Sequence, residues 1–87
     1  MKSIFTEEYD VLLQYLISAR KKAGLTQQEL AGRLERPQSF VSKYERGERR
    51  LDIIEFIRVA RAIGVVPSKA IADLEKSMPP KTNKGAR

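Results

Sequence analysis

Polar and apolar positions recur with helical spacing along most of the chain, and the clearest case lies between residues 26 and 47. There, two short periodic segments are separated by a turn, and the second segment divides its polar and apolar side chains between two sides of a helix. The polar side consists of Gln38, Ser39, Ser42, Lys43 and Arg46, and the apolar side of Pro37, Phe40, Val41 and Tyr44. The pattern predicts a helix at about residues 37–45 that packs on a core and displays amide, hydroxyl and cationic groups, which bind base edges and phosphates.

Start and stop signals around the periodic segments predict five helices. Thr26 with Glu29, and Asp52 with Glu55, have the spacing of a capping box, in which both residues satisfy backbone amides at a helix start. The predicted helices span about residues 6–23 (with Thr6 as cap), 26–34, 37–45, 52–63 and 68–77. No strand pattern, repeat or second domain is evident. We therefore expect one all-α domain over residues 1–77, with the central two-helix motif at about 26–47, and a basic tail over residues 78–87.

The first predicted helix has more apolar side chains than one contact face requires. Its main stripe consists of Tyr9, Leu12, Leu16, Ala19 and Ala23, and its second stripe of Leu13 and Ile17. We expect the second stripe to pack under the last helix, with a dimer interface as the alternative. The fourth helix is apolar over more than half of its circumference, which predicts that it is the hub of the core, with a dimer contact as an additional possibility.

The composition argues against several classes of function. The 87 residues include no cysteine and no histidine, and the carboxylates show no clustered arrangement. We therefore expect no metal, no cofactor and no catalytic residue, and an enzyme is disfavoured. No apolar run approaches the roughly 18 residues of a membrane span. The N-terminus also does not resemble a signal peptide, so we expect a cytoplasmic protein without membrane contact.

The formal net charge of +6 is concentrated in the middle of the chain. Residues 20–50 hold nine Lys and Arg against four Glu, whereas residues 1–19 hold one Lys and three acidic residues. A basic patch beside a polar helix face is what a polyanion-binding surface requires, although charge alone is equally compatible with a solvated surface. Together with the helix pattern, the charge favours nucleic acid as the partner.

Three segments in order, GLTQQELA, SFVSKYERGER and IEFIRVARAIGV, resemble the XRE or Cro/repressor family of DNA-binding regulators. The resemblance runs without a gap from about Arg20 to Val65. It implies a compact five-helix, lambda-repressor-like helix-turn-helix domain of bacterial or phage type. It also implies a sequence-specific regulator of transcription, most simply a repressor, that binds double-stranded DNA as a homodimer on a palindromic operator. A Cro-like regulator, a restriction–modification controller and an antitoxin that represses its own operon all fit.

The resemblance assigns base contacts to Gln38, Ser39 and Lys43 of the third helix. The chemistry agrees, because glutamine pairs with adenine, serine pairs with several base edges and lysine favours guanine. Ser42 can reach either a base or a phosphate. A solvated helix face without any DNA partner is the alternative for all four residues. Phe40 and Tyr44 are expected in the core rather than stacked on bases, because they lie on the apolar side.

Phosphate contacts are expected at both ends of the motif. The free amides at the start of the second helix, with Thr26 and Gln27, can bind a phosphate, although an ordinary capped helix has the same sequence signal. The cationic candidates along the turn, the third helix and the following loop are Arg36, Arg46, Arg49 and Arg50. The two loop arginines, at 49 and 50, are alternatively plain surface charges.

The family pattern also bears on how the helices are held together. Arg20 and Glu45 match a pair that would join the first helix to the third, with two solvated charges as the alternative. The chain departs from the pattern at Glu35, where glycine is usual because the turn needs a positive φ, and at Arg36, where a small or apolar residue is common. A glutamate at a positive φ costs about 1 kcal/mol, or else the turn has a different geometry.

A protein-interaction module is the alternative function. The same fold could use the second stripe of the first helix, or the wide apolar face of the fourth, to bind a protein partner, and an antitoxin would do both. The polar face of the third helix discriminates between the two functions, because a pure interaction module has no need of it. The tail over residues 78–87 is expected to be disordered and to add nonspecific DNA affinity or only solubility.

Overall fold

The computed structural model describes residues 7–78, and this part of the chain forms five α-helices and no strand. They are α1 (Glu7–Lys22), α2 (Gln27–Leu34), α3 (Gln38–Glu45), α4 (Ile53–Ile63) and α5 (Pro67–Ser77). The all-α architecture predicted from the sequence is confirmed, and the predicted helix boundaries that fall within the described residues lie within one residue of the observed ones. The predicted cap at Thr6 and the tail beyond Met78 lie outside the described residues.

Local hydrogen bonds between side chain and backbone explain where α2 and α4 begin. At α2 the amide of Glu29 donates to Thr26 Oγ1 at 3.0 Å, and the amide of Thr26 donates to Glu29 Oε1 at 2.9 Å. At α4 the amide of Glu55 donates to Asp52 Oδ1 at 2.8 Å, and the amide of Asp52 donates to Glu55 Oε1 at 3.0 Å. Both predicted capping boxes are therefore formed, and each satisfies two amides that no intrahelical carbonyl can reach.

The turn between α2 and α3 has the left-handed residue that the motif requires. Glu35 has φ 58° and ψ 42° and is the non-glycine residue with a positive φ among residues 7–78. Its amide and that of Arg36 donate to carbonyls of the last turn of α2, at 3.1 and 3.0 Å. Pro37 then has extended backbone angles and precedes the first residue of α3. Of the two alternatives for this turn, the strained glutamate is the one observed.

The core lies between the five helices, and each of them contributes at least one buried side chain. Its largest fully buried side chains are Leu13, Leu16, Leu30, Val41, Tyr44 and Val59. α4 contacts α1, α2 and α5, as expected of a hub. However, the first two residues of α4, Ile53 and Ile54, are 58% and 54% exposed, so the wide apolar face is not buried along its whole length.

The buried face of α1 differs from the predicted main stripe. Its buried row consists of Tyr9, Leu13, Leu16 and Arg20. Leu13, assigned to the second stripe, is 1% exposed and central, whereas Ala23 of the main stripe is exposed. The predicted contact face lies to one side of the observed one, because the charged Arg20 was expected at the edge of the stripe and not within the buried row. In the structure an ion pair neutralises Arg20 and allows its burial.

Candidate nucleic-acid interface

α3 presents most of its predicted base-contacting side chains to the outside. Gln38, Ser39 and Lys43 are exposed, and Ser42 is half-buried with its Oγ donating to the Ser39 carbonyl at a long 3.4 Å. On the other side, Phe40, Val41 and Tyr44 are buried, as expected of core residues. The α3 face is therefore both anchored in the core and open along the row of amide, hydroxyl and ammonium groups.

A buried ion pair joins α1 to α3. Arg20 Nε donates to Glu45 Oε2 at 2.7 Å and Arg20 Nη2 donates to Glu45 Oε1 at 3.1 Å. The two side chains are only 9% and 6% exposed. Arg20 Nη1 also donates to the carbonyl of Leu25, at 2.8 Å, in the loop before α2. The hydrogen bond to Glu45 raises the pKa of Arg20, with burial opposing it. One side chain thus fixes α1, the start of the motif and the end of α3.

The same carboxylate orients the first polar side chain of α3. Gln27 Nε2 donates to Glu45 Oε1 at 2.9 Å, and Gln38 Nε2 donates to Gln27 Oε1 at 3.0 Å. We call the connected side chains Arg20, Glu45, Gln27 and Gln38 the polar relay. It leaves Gln38 with its Oε1 and one Nε2 proton unused within the described chain. Those are the acceptor and donor that a bidentate contact with adenine requires.

The start of α2 has hydrogen-bond donors that are available to a phosphate. The Oγ1 of Thr26 accepts the amide proton of Glu29, and its hydroxyl proton remains available to donate to a further group. The amides of Gln27 and Gln28 lie in the first turn of α2, where no intrahelical carbonyl is available. A phosphate at this point would meet those two amides and the positive end of the helix dipole.

Arg46 follows α3 and makes an exposed ion pair. Its Nε and Nη2 donate to the two carboxylate oxygens of Glu48 at 2.9 and 3.2 Å, and both side chains are more than half exposed. Their hydrogen bond raises the pKa of Arg46 and lowers the pKa of Glu48. Exposed pairs of this kind are weak, so Arg46 can exchange Glu48 for a phosphate at little cost.

The three remaining candidate arginines, Arg36, Arg49 and Arg50, lie on aromatic rings. Arg36 and Arg49 both stack on Phe40, with their guanidinium carbons 4.1 and 4.8 Å from the ring centroid. Arg50 instead lies 4.5 Å from the ring centroid of Tyr9 on α1. The structure therefore brings Arg36 and Arg49 together beside α3 and places Arg50 against a different helix.

Two side-chain contacts at the candidate interface were not predicted from the sequence. Gln27 was assigned to phosphate but also connects Glu45 to Gln38, and Glu55 was assigned only to a helix cap but also binds Arg49. No periodicity rule pairs residues six positions apart across a loop, so Arg49 and Glu55 carried no sequence signal. The two glutamines stand 11 positions apart in different helices, and only the angle between these helices brings them together.

Within residues 7–78 no group of three or more candidate ligands could hold a metal ion. None of the five helices has the length and apolar character needed to cross a membrane.

Two short helices joined by a tight turn, the second buried on one side and polar on the other, define a helix-turn-helix DNA-binding domain. A family model described as helix-turn-helix matches residues 16–76. A solved structure, the XRE-family like protein from Pseudomonas syringae pv. tomato str. DC3000, is 54% identical, with a TM-score of 0.79. The match covers 83% of this chain and 88% of that one. No curated protein matches the chain. The chain belongs to the XRE family of helix-turn-helix DNA-binding regulators.

Proposed function

We propose that the protein is a sequence-specific regulator of transcription, acting as a repressor, that binds a palindromic double-stranded operator as a homodimer. α3 enters the major groove in this proposal. The observation that carries it is the polar relay, because a glutamine on a merely solvated surface needs no buried ion pair to orient it. The site of action is the cytoplasm of a bacterial or phage-type system, where the DNA lies.

The proposed contacts divide into two kinds. Gln38, Ser39 and Lys43 contact base edges, and Ser42 contacts either a base or a phosphate. The phosphate contacts come from the start of α2 and from the arginines, namely Thr26, Gln27, Arg36, Arg46, Arg49 and Arg50. Phosphate contacts fix the register of the domain on the duplex, and base contacts discriminate between sequences.

The proposed homodimer follows from the small size of the motif. One helix-turn-helix contacts few base pairs, and two copies roughly double the specific free energy of binding. A two-fold dimer places its half-sites about 34 Å apart, one turn of the duplex. Exposed apolar side chains at Ile53, Ile54 and Val66 support a protein contact on this part of the domain.

The same exposed side chains favour a second candidate, a protein-interaction module such as the antitoxin of a toxin–antitoxin pair. Beside Ile53, an open groove is lined by Leu12, Leu51, Phe56, Ile71 and Leu74. Solvent-exposed apolar surface of this kind is what a protein partner covers. An antitoxin that represses its own operon would use α3 for DNA and this groove for its partner.

Selection from a random duplex DNA pool at near-physiological salt, followed by sequencing, tests the proposed function. We expect an enriched palindrome whose centre-to-centre spacing gives the geometry of the dimer. Binding that depends on salt but enriches no sequence would contradict the proposal. The specificity would then reside in a protein partner, and the interaction module would be the better description.

A further inference from the structure

A group of charged side chains surrounds the ring of Phe40 beside α3. Arg36 reaches the ring from the turn before α3, and Arg49 reaches it from the loop after α3. The ring attracts each guanidinium through its π electrons, but it does not reduce the repulsion between the two cations. A nearby negative charge offsets that repulsion and favours the placement of both arginines.

Glu55, in the first turn of α4, supplies this charge. Arg49 Nη1 donates to Glu55 Oε1 at 2.9 Å, and Arg49 Nη2 donates to Glu55 Oε2 at 2.8 Å. A bidentate pair fixes the plane of the guanidinium as well as its position. The hydrogen bond from Arg49 is the largest cause of a pKa of about 2 for Glu55, and Arg36 contributes to the same shift. The carboxylate is consequently ionised at any physiological pH.

The orientation of Arg49 leaves one edge of its guanidinium available. Besides binding Glu55, Nη1 donates to the carbonyl of Arg50 at 3.0 Å. The remaining donors, Nε–H and the second proton of Nη2, have no partner among residues 7–78, and the side chain is 38% exposed. These two N–H groups lie on the same edge with the spacing of two phosphate oxygens.

We propose that Glu55 is a positioning residue for DNA binding, which holds Arg49 on Phe40 with its Nε–Nη2 edge presented to the phosphate backbone. The inference rests on the proposed DNA-binding function and deepens it, because it assigns a phosphate-binding role to an acidic residue. Charge alone predicts the reverse, since removing a negative group near a polyanion strengthens binding. The sign of the effect therefore separates positioning from simple repulsion.

The test uses Glu55→Gln and the operator duplex obtained by selection. Glutamine is compatible with a capping box, so the start of α4 is retained while the charge and the bidentate acceptor are lost. We expect E55Q to weaken operator binding about 2- to 12-fold, the cost of ordering one long side chain on binding. The matched control is Glu75→Gln, which removes the same charge from an exposed position on α5 and should not weaken binding.

Repeating the E55Q substitution in an Arg49→Ala protein shows whether its effect on DNA binding depends on Arg49. In an Arg49→Ala protein there is no guanidinium to position, so adding E55Q should leave operator binding unchanged or strengthen it. Tighter binding by E55Q in the wild-type background would overturn the proposal, because Glu55 would then only repel DNA. Equal weakening of operator binding in both backgrounds would also overturn it, because the effect of Glu55 would then not depend on Arg49.

If the wild-type chain shows no sequence-specific binding, the proposed function has failed, and the positioning role of Glu55 is tested without DNA. NMR of the free protein then measures whether the guanidinium of Arg49 is held in one orientation. A resolved guanidinium signal for Arg49 in the wild type that averages in E55Q supports the positioning role. The same averaged signal in both proteins overturns it.

Discussion

At the scale of single residues, Glu35 shows how a local backbone requirement can conflict with a side chain. Its φ of 58° lies in the region where the Cβ atom of an L-residue crowds the following carbonyl. Its side chain is exposed and its backbone amide is hydrogen-bonded, so the cost lies in the conformation and not in lost contacts. The turn therefore persists because the helices on either side are packed together.

We predict that Glu35→Gly stabilises the domain by roughly 1 kcal/mol, because glycine adopts this conformation without a steric penalty. The greater freedom of glycine in the unfolded chain offsets part of the gain. Urea denaturation of the two proteins measures the difference. A matched control is Glu75→Gly in α5, where φ is helical and the same change should destabilise the domain by about 1 kcal/mol. Equal destabilisation at both positions would contradict the interpretation of Glu35.

The sequence predicts such residues well when their geometry is local. The positive φ at Glu35 was one of two alternatives, implied by the family pattern in which glycine is usual at that turn. The burial of Phe40 and Tyr44 followed from the side of α3 on which they lie. The pairing of Arg49 with Glu55 could not be predicted, because it depends on the path of a loop with no periodic pattern. The same holds for Gln27, whose second partner comes from another helix.

At the scale of the helices, the Arg20–Glu45 pair fixes α1 against α3. We predict that Arg20→Ala destabilises the domain by about 3–5 kcal/mol, because it leaves the carboxylate of Glu45 buried without its cation. Replacing both residues with alanine should cost less than the sum of the two single changes. Thermal or urea unfolding of the four proteins in a double-mutant cycle measures this coupling.

Additive effects in that cycle would show that the two charges act independently. The pair would then be only a pair of solvated groups, contrary to its exposure of 9% and 6%.

The Arg49–Glu55 pair, which joins the loop after α3 to the first turn of α4, makes the stability of the domain depend on pH. The pKa of Glu55 is lowered from 4.5 to about 2 in the folded chain, mainly by its hydrogen bond from Arg49. The unfolded chain therefore takes up the proton first as the pH falls. The stability that Glu55 contributes is present in full above its unfolded pKa and is lost as the pH falls towards about 2.

We therefore predict that wild type is more stable than E55Q at neutral pH, and that the difference narrows as the pH falls from about 4.5 towards 2. Denaturant unfolding of both proteins across this range measures the difference. A difference that stays constant with pH would show that the loss in E55Q comes from packing or capping and not from ionisation.

Helix boundaries were predictable because capping residues act within one turn of the chain. Thr26 with Glu29 and Asp52 with Glu55 identified two starts directly. The buried face of α1 was less predictable, because hydropathy places an arginine outside the core. Only its partner on α3, 25 positions away, makes the burial of Arg20 favourable.

At the scale of the whole molecule, DNA binding should separate the two proposed kinds of contact. We predict that Lys43→Ala relaxes base preference at one position of each half-site and costs about 1–3 kcal/mol on the preferred sequence. Arg49→Ala should instead weaken binding on all sequences and reduce the slope of log K against log salt by about 1. Titrations of the selected operator and of single-base variants at several salt concentrations measure both effects.

If Lys43→Ala weakens binding equally on every sequence, Lys43 contacts phosphate and its assignment to a base is wrong. An unchanged salt slope in Arg49→Ala would show that this arginine does not touch the backbone. Exposed Lys69 on α5 offers a charge-matched control, because its loss changes the net charge without changing the proposed interface.

The fold of the whole domain was predictable because a helix-turn-helix leaves a strong pattern in a short sequence. Which apolar side chains remain exposed could not be predicted. Ile53 and Ile54 looked like core residues, since an apolar side chain at a helix start has the same sequence signal whether it meets the protein's own core or a partner. The described residues show them exposed, and the partner that covers them stays a prediction.

The hydrogen bond between Gln27 and Gln38 has a consequence for how relatives of this regulator can diverge. If Gln38 contacts a base as proposed, a mutation at Gln38 alone would alter the preferred base and also leave Gln27 without one of its partners. A mutation at Gln27 alone would disturb Gln38 while leaving its identity intact. New operator preferences at this position should therefore arise through joint replacement of both residues. In relatives that bind a different target site, residues 27 and 38 should therefore both differ from those of this chain.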